Sequence, residues 1–336
     1  MLEETREAAD AVTRQLSRDE AVYSALGADL RREPFGGMLT VARGSSDHAA
    51  HYMAYLAMAR MGRLVTSLPM SLLTLHQSSL RCEGITSVAF SQSGQSPDLI
   101  TPTAFFRAGG ARTLAVVNDE ASPLARAAEW VLPLHAGPER SVAATKSYIA
   151  QLVAGARLVA HWQGDEALLA ALSELPTALR QAAALDWQPA VDTLVNADKL
   201  FVISRGTGLA VAMEAALKFK ETCGIQAEAF SGAEVKHGPM ALVGAGYPLL
   251  VFAPRGPAQE GLVALAAEMR QRGGTVLLAA PQGTPGADLP LATTHAVDLD
   301  PVAAIQSFYP MVEALARARG HNPDEPRHLS KVTRTH

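Results

Sequence analysis

The chain is 336 residues long and 48% hydrophobic, with 29 basic against 33 acidic residues for a formal net charge of −4. That length supports two domains with cores of their own. The near balance of charge gives no whole-chain attraction for a phosphate backbone or an anionic lipid surface, which excludes nucleic acid and membranes as expected partners and leaves any phosphate to a local site.

The opening MLEETREAADAVTRQL carries acids and bases through an apolar period, which predicts a helix within an amino-terminal helical segment, 1–33, and speaks against a signal or transit peptide. No uncharged apolar run approaches the ~18 residues of a membrane helix, so the expected location is the cytoplasm. Cys82 and Cys223 lie far apart with no Cys or His at metal-ligand spacing. Two buried free thiols are expected, with no metal and no cofactor.

The next stretch, MLTVARGSSDHAAHYMAYLAMARMG, passes from a short β pattern through Arg43, Gly44, Ser45 and Ser46 into a helical period. Ser45 and Ser46 either donate to a ligand or cap that helix. In SVAFSQSGQSPDL a second strand-to-helix turn carries Ser91, Gln92, Ser93 and Ser96. Free backbone N–H groups, the helix dipole and several hydroxyls converge there, which makes an anion site without net positive charge. Neither GxxxxGK[ST] nor GxGxxG with a later acid is present, so a nucleotide is not the expected ligand. Residues 166–192, a helical connector, read as a helix broken near Pro176 and closed before Pro189.

Beyond the connector the chain repeats itself. KLFVISRGTGLAVAMEAALKFKETCG follows the earlier pattern, with Arg43–Gly44 and Arg205–Gly206 separated by 162 residues and the turn glycines Gly94 and Gly256 by the same 162. Two landmarks with one offset imply a duplicated domain. Strand, glycine turn, helix and strand alternate in each copy, which predicts the α/β class: two tandem subdomains, 34–165 and 193–316, each an open parallel sheet in a three-layer sandwich, with ligand at the strand carboxyl ends. In the duplicate the serine turn becomes APRGPAQEG, without hydroxyls, so the halves are expected to differ in role.

A helix over about Leu209 to Glu221 puts Ala212, Ala215, Ala216 and Phe219 on one face and Glu214, Lys218 and Glu221 on the other. By spacing alone that second face is a solvated one with an i,i+4 pair. His237, before Gly–Pro in EVKHGPM, is equally open to a structural and a functional reading. The tail, 317–336, has no apolar period and reads by pattern as disordered.

The run EAALKFKETCGIQAEAFSGAEVKHGPMAL resembles the sugar-isomerase (SIS) family, in particular the isomerase half of glucosamine-6-phosphate synthase, and SQSGQSPDL, GPERSVAATKSY and PRHLSKVT match it in the same order. The resemblance covers nearly the whole chain. It implies two SIS subdomains and assigns Ser46, Ser91, Gln92, Ser93 and Ser96 to the sugar phosphate, with Glu139 and Val142 bordering the sugar. It further implies that Glu221 moves a proton between C1 and C2 and that His237, reaching in from the other subunit of a homodimer, opens the ring. Lys331 would form a Schiff base with the ketose, which makes the tail an ordered lid, and Lys218 and Glu214 would orient Glu221.

The synthase also has an amidotransferase domain with an amino-terminal cysteine, whereas this sequence starts MLEETREA and has no cysteine before Cys82. The expectation is therefore an isomerising glucosamine-6-phosphate deaminase that releases fructose 6-phosphate and ammonia. The alternatives are a deaminase or isomerase for galactosamine 6-phosphate or fructosamine phosphates, and a non-catalytic phosphosugar sensor.

Overall fold

The computed structural model describes residues 1–32 and 35–331. Glu33 and Pro34, at the first expected boundary, and 332–336 of the expected lid lie outside the described residues.

Helices α1 (Leu2–Arg6), α2 (Ala8–Leu16) and α3 (Glu20–Leu30) come first. The first half then runs β1 (Gly37–Val41), α4 (Ser45–Met61), β2 (Val65–Ser67), α5 (Ser71–Thr74), β3 (Ile85–Ser91), α6 (Pro97–Ala108), β4 (Arg112–Val117), α7 (Pro123–Ala127), β5 (Trp130–Pro133) and α8 (Lys146–Gln163). After α9 (Glu166–Ala183) and α10 (Gln188–Leu194), the second half runs β6 (Lys199–Ser204), α11 (Leu209–Cys223), β7 (Gln226–Ser231), β8 (Pro248–Phe252), α12 (Gln259–Gln271), β9 (Thr275–Pro281), β10 (Leu289–Leu291) and α13 (Asp300–Ala318).

Each half is a five-stranded, all-parallel sheet, in the orders β2-β1-β3-β4-β5 and β7-β6-β8-β9-β10. The two orders are the same position for position, and the landmark glycines of the repeat, Gly44, Gly94, Gly206 and Gly256, all have positive φ. The fold is the expected tandem α/β arrangement. Its strands read as continuous apolar runs because both sheet faces are covered. In the first sheet Leu39, Val41, Ala89, Ala115 and Val117 meet Leu99 and Phe106 of α6 and Leu124 of α7 in one core, while the alternate residues Val88, Phe90, Leu114 and Val116 are buried on the opposite face. In the second, Phe201, Ile203, Leu249, Val251 and Leu278 pack on Leu262, Leu265 and Met269 of α12.

The connector departs from expectation. α9 runs unbroken through Pro176, and the following helix contains Pro189 in its first turn rather than ending before it. Leu168, Leu172, Leu175, Leu179 and Ala182 are all buried at helical spacing across the proline. The burial of that stripe outweighs the one backbone bond that a mid-helix proline removes. At Pro189 the missing N–H falls in the first turn, where it would have no intrahelical partner.

The chain packs into two compact units that do not divide at a single point. One holds Asp10–Glu139, Lys146–Ser173 and, of the described tail, Ser330 and Lys331; the other holds Met1–Ala9, Arg140–Thr145 and Glu174–Leu329. They are called the first and second unit below.

Candidate active site

In the first unit β1 and β3 are neighbours, yet the chain leaves β1 for β2 on one side and β3 for β4 on the other. The loops at their carboxyl ends therefore separate and leave a crevice, and those loops are the two serine turns. Arg43 in the first turn pairs with Asp98 in the first turn of α6, Nε to Oδ2 at 3.2 Å, which ties the two together. Gly44 is the N-cap of α4, so Ser45 and Ser46 occupy its first helical positions and capping does not account for them. The Ser46 hydroxyl accepts a bond from Gln151 Nε2 of α8 at 3.0 Å.

The second turn is held by its own backbone. Ser91 Oγ accepts from Gly94 N at 2.9 Å and Ser93 Oγ from Gln95 N at 3.3 Å. Gly94 has φ +64°, and a Cβ there would lie 2.2 Å from Ser122 Oγ, so no other residue fits without movement. Ser96 is the N-cap of α6 but makes no capping bond with its side chain. Gln92, Ser93 and Ser96 are half-buried at the amino end of α6, where Pro97 has no N–H and those of Leu99 and Ile100 donate to the Ser96 carbonyl, so the donors left to a ligand are the side-chain hydroxyls and the Gln92 amide, with the helix dipole behind them. That arrangement can hold a dianion.

Glu139 lies beyond β5 at the same edge of the first sheet and is 7% exposed. It accepts from Ser147 N at 3.1 Å and also from the Ser147 hydroxyl, in the first turn of α8. Lys331 Nζ stands 3.6 Å from Glu139 Oε2. Two of the expected sugar-site residues, one from the tail, therefore meet in the first unit. Val142 belongs to the second unit, where its N–H donates to the Asp324 carbonyl at 3.2 Å.

In the second unit the polar face of α11 is not solvated. Glu214 and Lys218 are 0% and 1% exposed. Lys218 Nζ lies 3.2 Å from Glu214 Oε1 and donates to Glu221 Oε2 at 2.7 Å, and the Tyr309 hydroxyl of α13 donates to Glu214 Oε1 at 3.2 Å. Burial alone would push the ammonium down, but the carboxylates of Glu214 and Glu221 outweigh it and hold Lys218 above the ordinary lysine range. Lys218 is thus a fixed cation, and Glu221, with 20% of its side chain exposed, is the member that reaches the surface.

The helix runs antiparallel to the strands it connects, so Glu221 in its last turn sits over the amino end of β7. His237, exposed at the end of a short 3₁₀ turn (Glu234–His237), follows the carboxyl end of the same strand. Six residues at ~3.3 Å each separate the two levels by about 20 Å. Within one chain the two residues are not brought together. The serine turns lie at strand carboxyl ends, whereas Glu221 lies toward the amino end of β7, its place set by helix length and not by the switch point. In the duplicate, Arg255, at the position that corresponds to Ser93, pairs with Asp300 through Nε at 2.7 Å and Nη2 at 2.8 Å.

Gln151, Ser147 and Tyr309 were not singled out from sequence. The first two had a signal, an i,i+4 polar pair on a helix whose residues 146–162 are otherwise mostly apolar and entirely buried. Tyr309 had none, because its partner lies 95 residues away.

The SIS domain profile matches residues 37–160 and 193–315. The glutamine–fructose-6-phosphate aminotransferase [isomerizing] of Symbiobacterium thermophilum is 35% identical over 309 residues, 87% of this chain and 50% of that protein. The chain thus spans about half the length of the curated relatives it matches. A Silicibacter pomeroyi protein provisionally named a phosphosugar isomerase shares 40% identity, with a TM-score of 0.90 over 96% of this chain and 99% of that one. The glucosamine-6-phosphate deaminase of Thermotoga maritima has the same fold, with a TM-score of 0.74 at 21% identity over 98% of this chain and 100% of its own.

Proposed function

The chain belongs to the SIS domain family, and from that premise we propose that it is an isomerising deaminase that converts glucosamine 6-phosphate and water to fructose 6-phosphate and ammonia. The observation that carries the reading is the buried Glu214–Lys218–Glu221 cluster, which presents one carboxylate beside a permanent ammonium. Moving a proton from C2 to C1 of an open-chain amino aldose needs a base next to an acidified C–H, and a partly desolvated carboxylate suits that task. Loss of the C2 proton and its return at C1 turn the 2-amino aldose into a 2-imino ketose. Water then adds at C2, the C–N bond breaks, and ammonia leaves with the proton it has gained.

The serine turns would hold the phosphate, with Ser46, Ser91, Gln92, Ser93 and Ser96 as donors. Glu139 and Val142 would border the sugar. Lys331, already beside a carboxylate, would close over it, and its amine would serve in place of water for the first attack at C2, expelling ammonia as a lysine imine forms, which water then hydrolyses to fructose 6-phosphate and the free amine. His237 would open the ring from the other subunit of a homodimer, a reading supported by its separation from Glu221 within one chain.

Neither thiol of these 336 residues is suited to releasing ammonia from glutamine. Cys82 and Cys223 are buried, and burial raises both, Cys223 to about 11. That favours release over uptake of ammonia by the residues at hand. The test is to mix the protein with glucosamine 6-phosphate, without glutamine, and follow both products. Ammonia and fructose 6-phosphate should appear in equal amounts. Binding without either product would reject the deaminase in favour of a sensor.

A further inference from the structure

Tyr309 has no part in the chemistry proposed above. It is fully buried on α13, and its hydroxyl nevertheless donates to Glu214 Oε1 at 3.2 Å. Its neighbour Phe308 fills the adjoining space with a plain ring against Phe219 and Phe252, so volume alone does not call for the hydroxyl. Glu214 meets Lys218 at 3.2 Å, and Lys218 meets Glu221 at 2.7 Å. Four side chains from two helices form one line, from the interior of α13 to a carboxylate at the surface.

We propose that Tyr309 is a positioning residue for this site: by fixing Glu214 it divides the Lys218 ammonium between two carboxylates, and so sets the orientation and the share of positive charge that Glu221 receives. The proposal rests on the reading of Glu221 as the base. A lysine on a four-carbon stem can swing between Glu214 and Glu221, which lie two turns apart on the same face of α11. With the tyrosine hydroxyl in place, part of the Glu214 charge is taken by that bond. Without it, more of the Glu214 charge faces Lys218 and draws the ammonium inward, away from Glu221. Replacing Glu214 with a neutral amide does the reverse and shifts the ammonium toward Glu221.

The other titratable groups on these helices and the elements packed against them have places of their own. Glu313 on α13 is paired with Arg317 and Asp300 with Arg255, Cys223 closes α11 with its thiol on the Val312 carbonyl and Lys220 is exposed on the same helix, α1 carries Glu3, Glu4 and Arg6, α10 carries Asp192, which accepts from Gln188, and Lys199 and Glu228 lie on the adjoining strands, Lys199 over the Tyr247 ring. The line from Tyr309 to Glu221 is therefore the feature the two substitutions address.

The test reads Glu221 itself. Protein labelled at the glutamate carboxyl carbon is titrated by NMR as wild type, Tyr309→Phe and Glu214→Gln, with Glu221→Gln to assign the signal. The Glu221 midpoint should rise in Tyr309→Phe and fall in Glu214→Gln, each by about half a pH unit or more. In turnover, Tyr309→Phe should lower kcat several-fold at nearly unchanged KM and move the acid limb of the profile upward with the midpoint. An unchanged midpoint in both variants, or movement in the same direction, overturns the proposal. Should Glu214→Gln not fold, Tyr309→Phe decides alone, since phenylalanine keeps the ring and removes only the bond. If Glu221→Gln keeps wild-type kcat, the base reading fails, while the midpoints still decide the role of Tyr309.

Discussion

Glu221 and Lys218 illustrate what a residue's neighbours in sequence cannot disclose. Their spacing is that of a common surface pair, but Lys218 is 1% exposed because α13 covers α11, and the carboxylates around it make it a permanent cation. Two predictions belong here. Glu221→Gln should reduce kcat by about 10²–10⁴-fold with KM within a few-fold, in steady-state assays with glucosamine 6-phosphate. Lys218→Met should cost about 3–5 kcal/mol in urea unfolding, because it leaves Glu214 charged and buried without its cation. The types of both residues were legible from the family resemblance, whereas the burial that gives them their character was not. Burial comes from a helix some ninety residues further along, and no local period encodes it.

The elements were more legible than the contacts between them. The serine turns were readable as strand-to-helix turns because a β pattern and Ser/Gly punctuation agree locally, joined in the second by a proline at the start of α6. Gly94 gives a test at this level. Gly94→Ala would force a side chain into φ +64° and against Ser122 Oγ at 2.2 Å. It should destabilise the fold by about 1–3 kcal/mol and raise KM for the phosphorylated sugar well above that for wild type, since the turn that aims Ser91 and Ser93 would have to shift. Pro176 marks the opposite case, where a strong local signal for a break was overridden by a buried leucine stripe. Glu139 lies between the two. It was assigned from the family pattern, and its work as acceptor for the first turn of α8 and counter-charge for Lys331 follows from the way α8 begins beneath it.

For the whole molecule, the 162-residue offset between glycine landmarks was enough to foresee two copies of one sheet, and the strand orders agree position for position. The way 140–145 and the tail are shared between the compact units was not foreseeable, because segments that cross between copies leave no repeat signal. The first unit also carries a pH liability. His161 and His51 are held below the ordinary histidine range, in both chiefly by burial. The unfolded chain then binds protons more readily than the folded one, so stability is full above about pH 6.5 and falls as pH drops below it. Glu20, held low mainly by its bond from Arg157, adds a loss in the same direction at still lower pH. The urea midpoint should be lower at about pH 5.5 than at about pH 7.5, and His161→Gln should narrow that difference.

The fate of the hydrogen on C2 decides whether this site performs the chemistry proposed for it. Glucosamine 6-phosphate deuterated at C2 would be given to the wild type and to Glu221→Gln, and the fructose 6-phosphate formed would be analysed at C1. The wild type should release ammonia with a primary isotope effect and carry part of the deuterium to C1, the rest exchanging with water from a carboxyl group 20% exposed, and Glu221→Gln should do neither. Ammonia release that leaves deuterium on C2, or deuterium transfer that persists in Glu221→Gln, would contradict the assignment of Glu221 as the base of an isomerising deaminase.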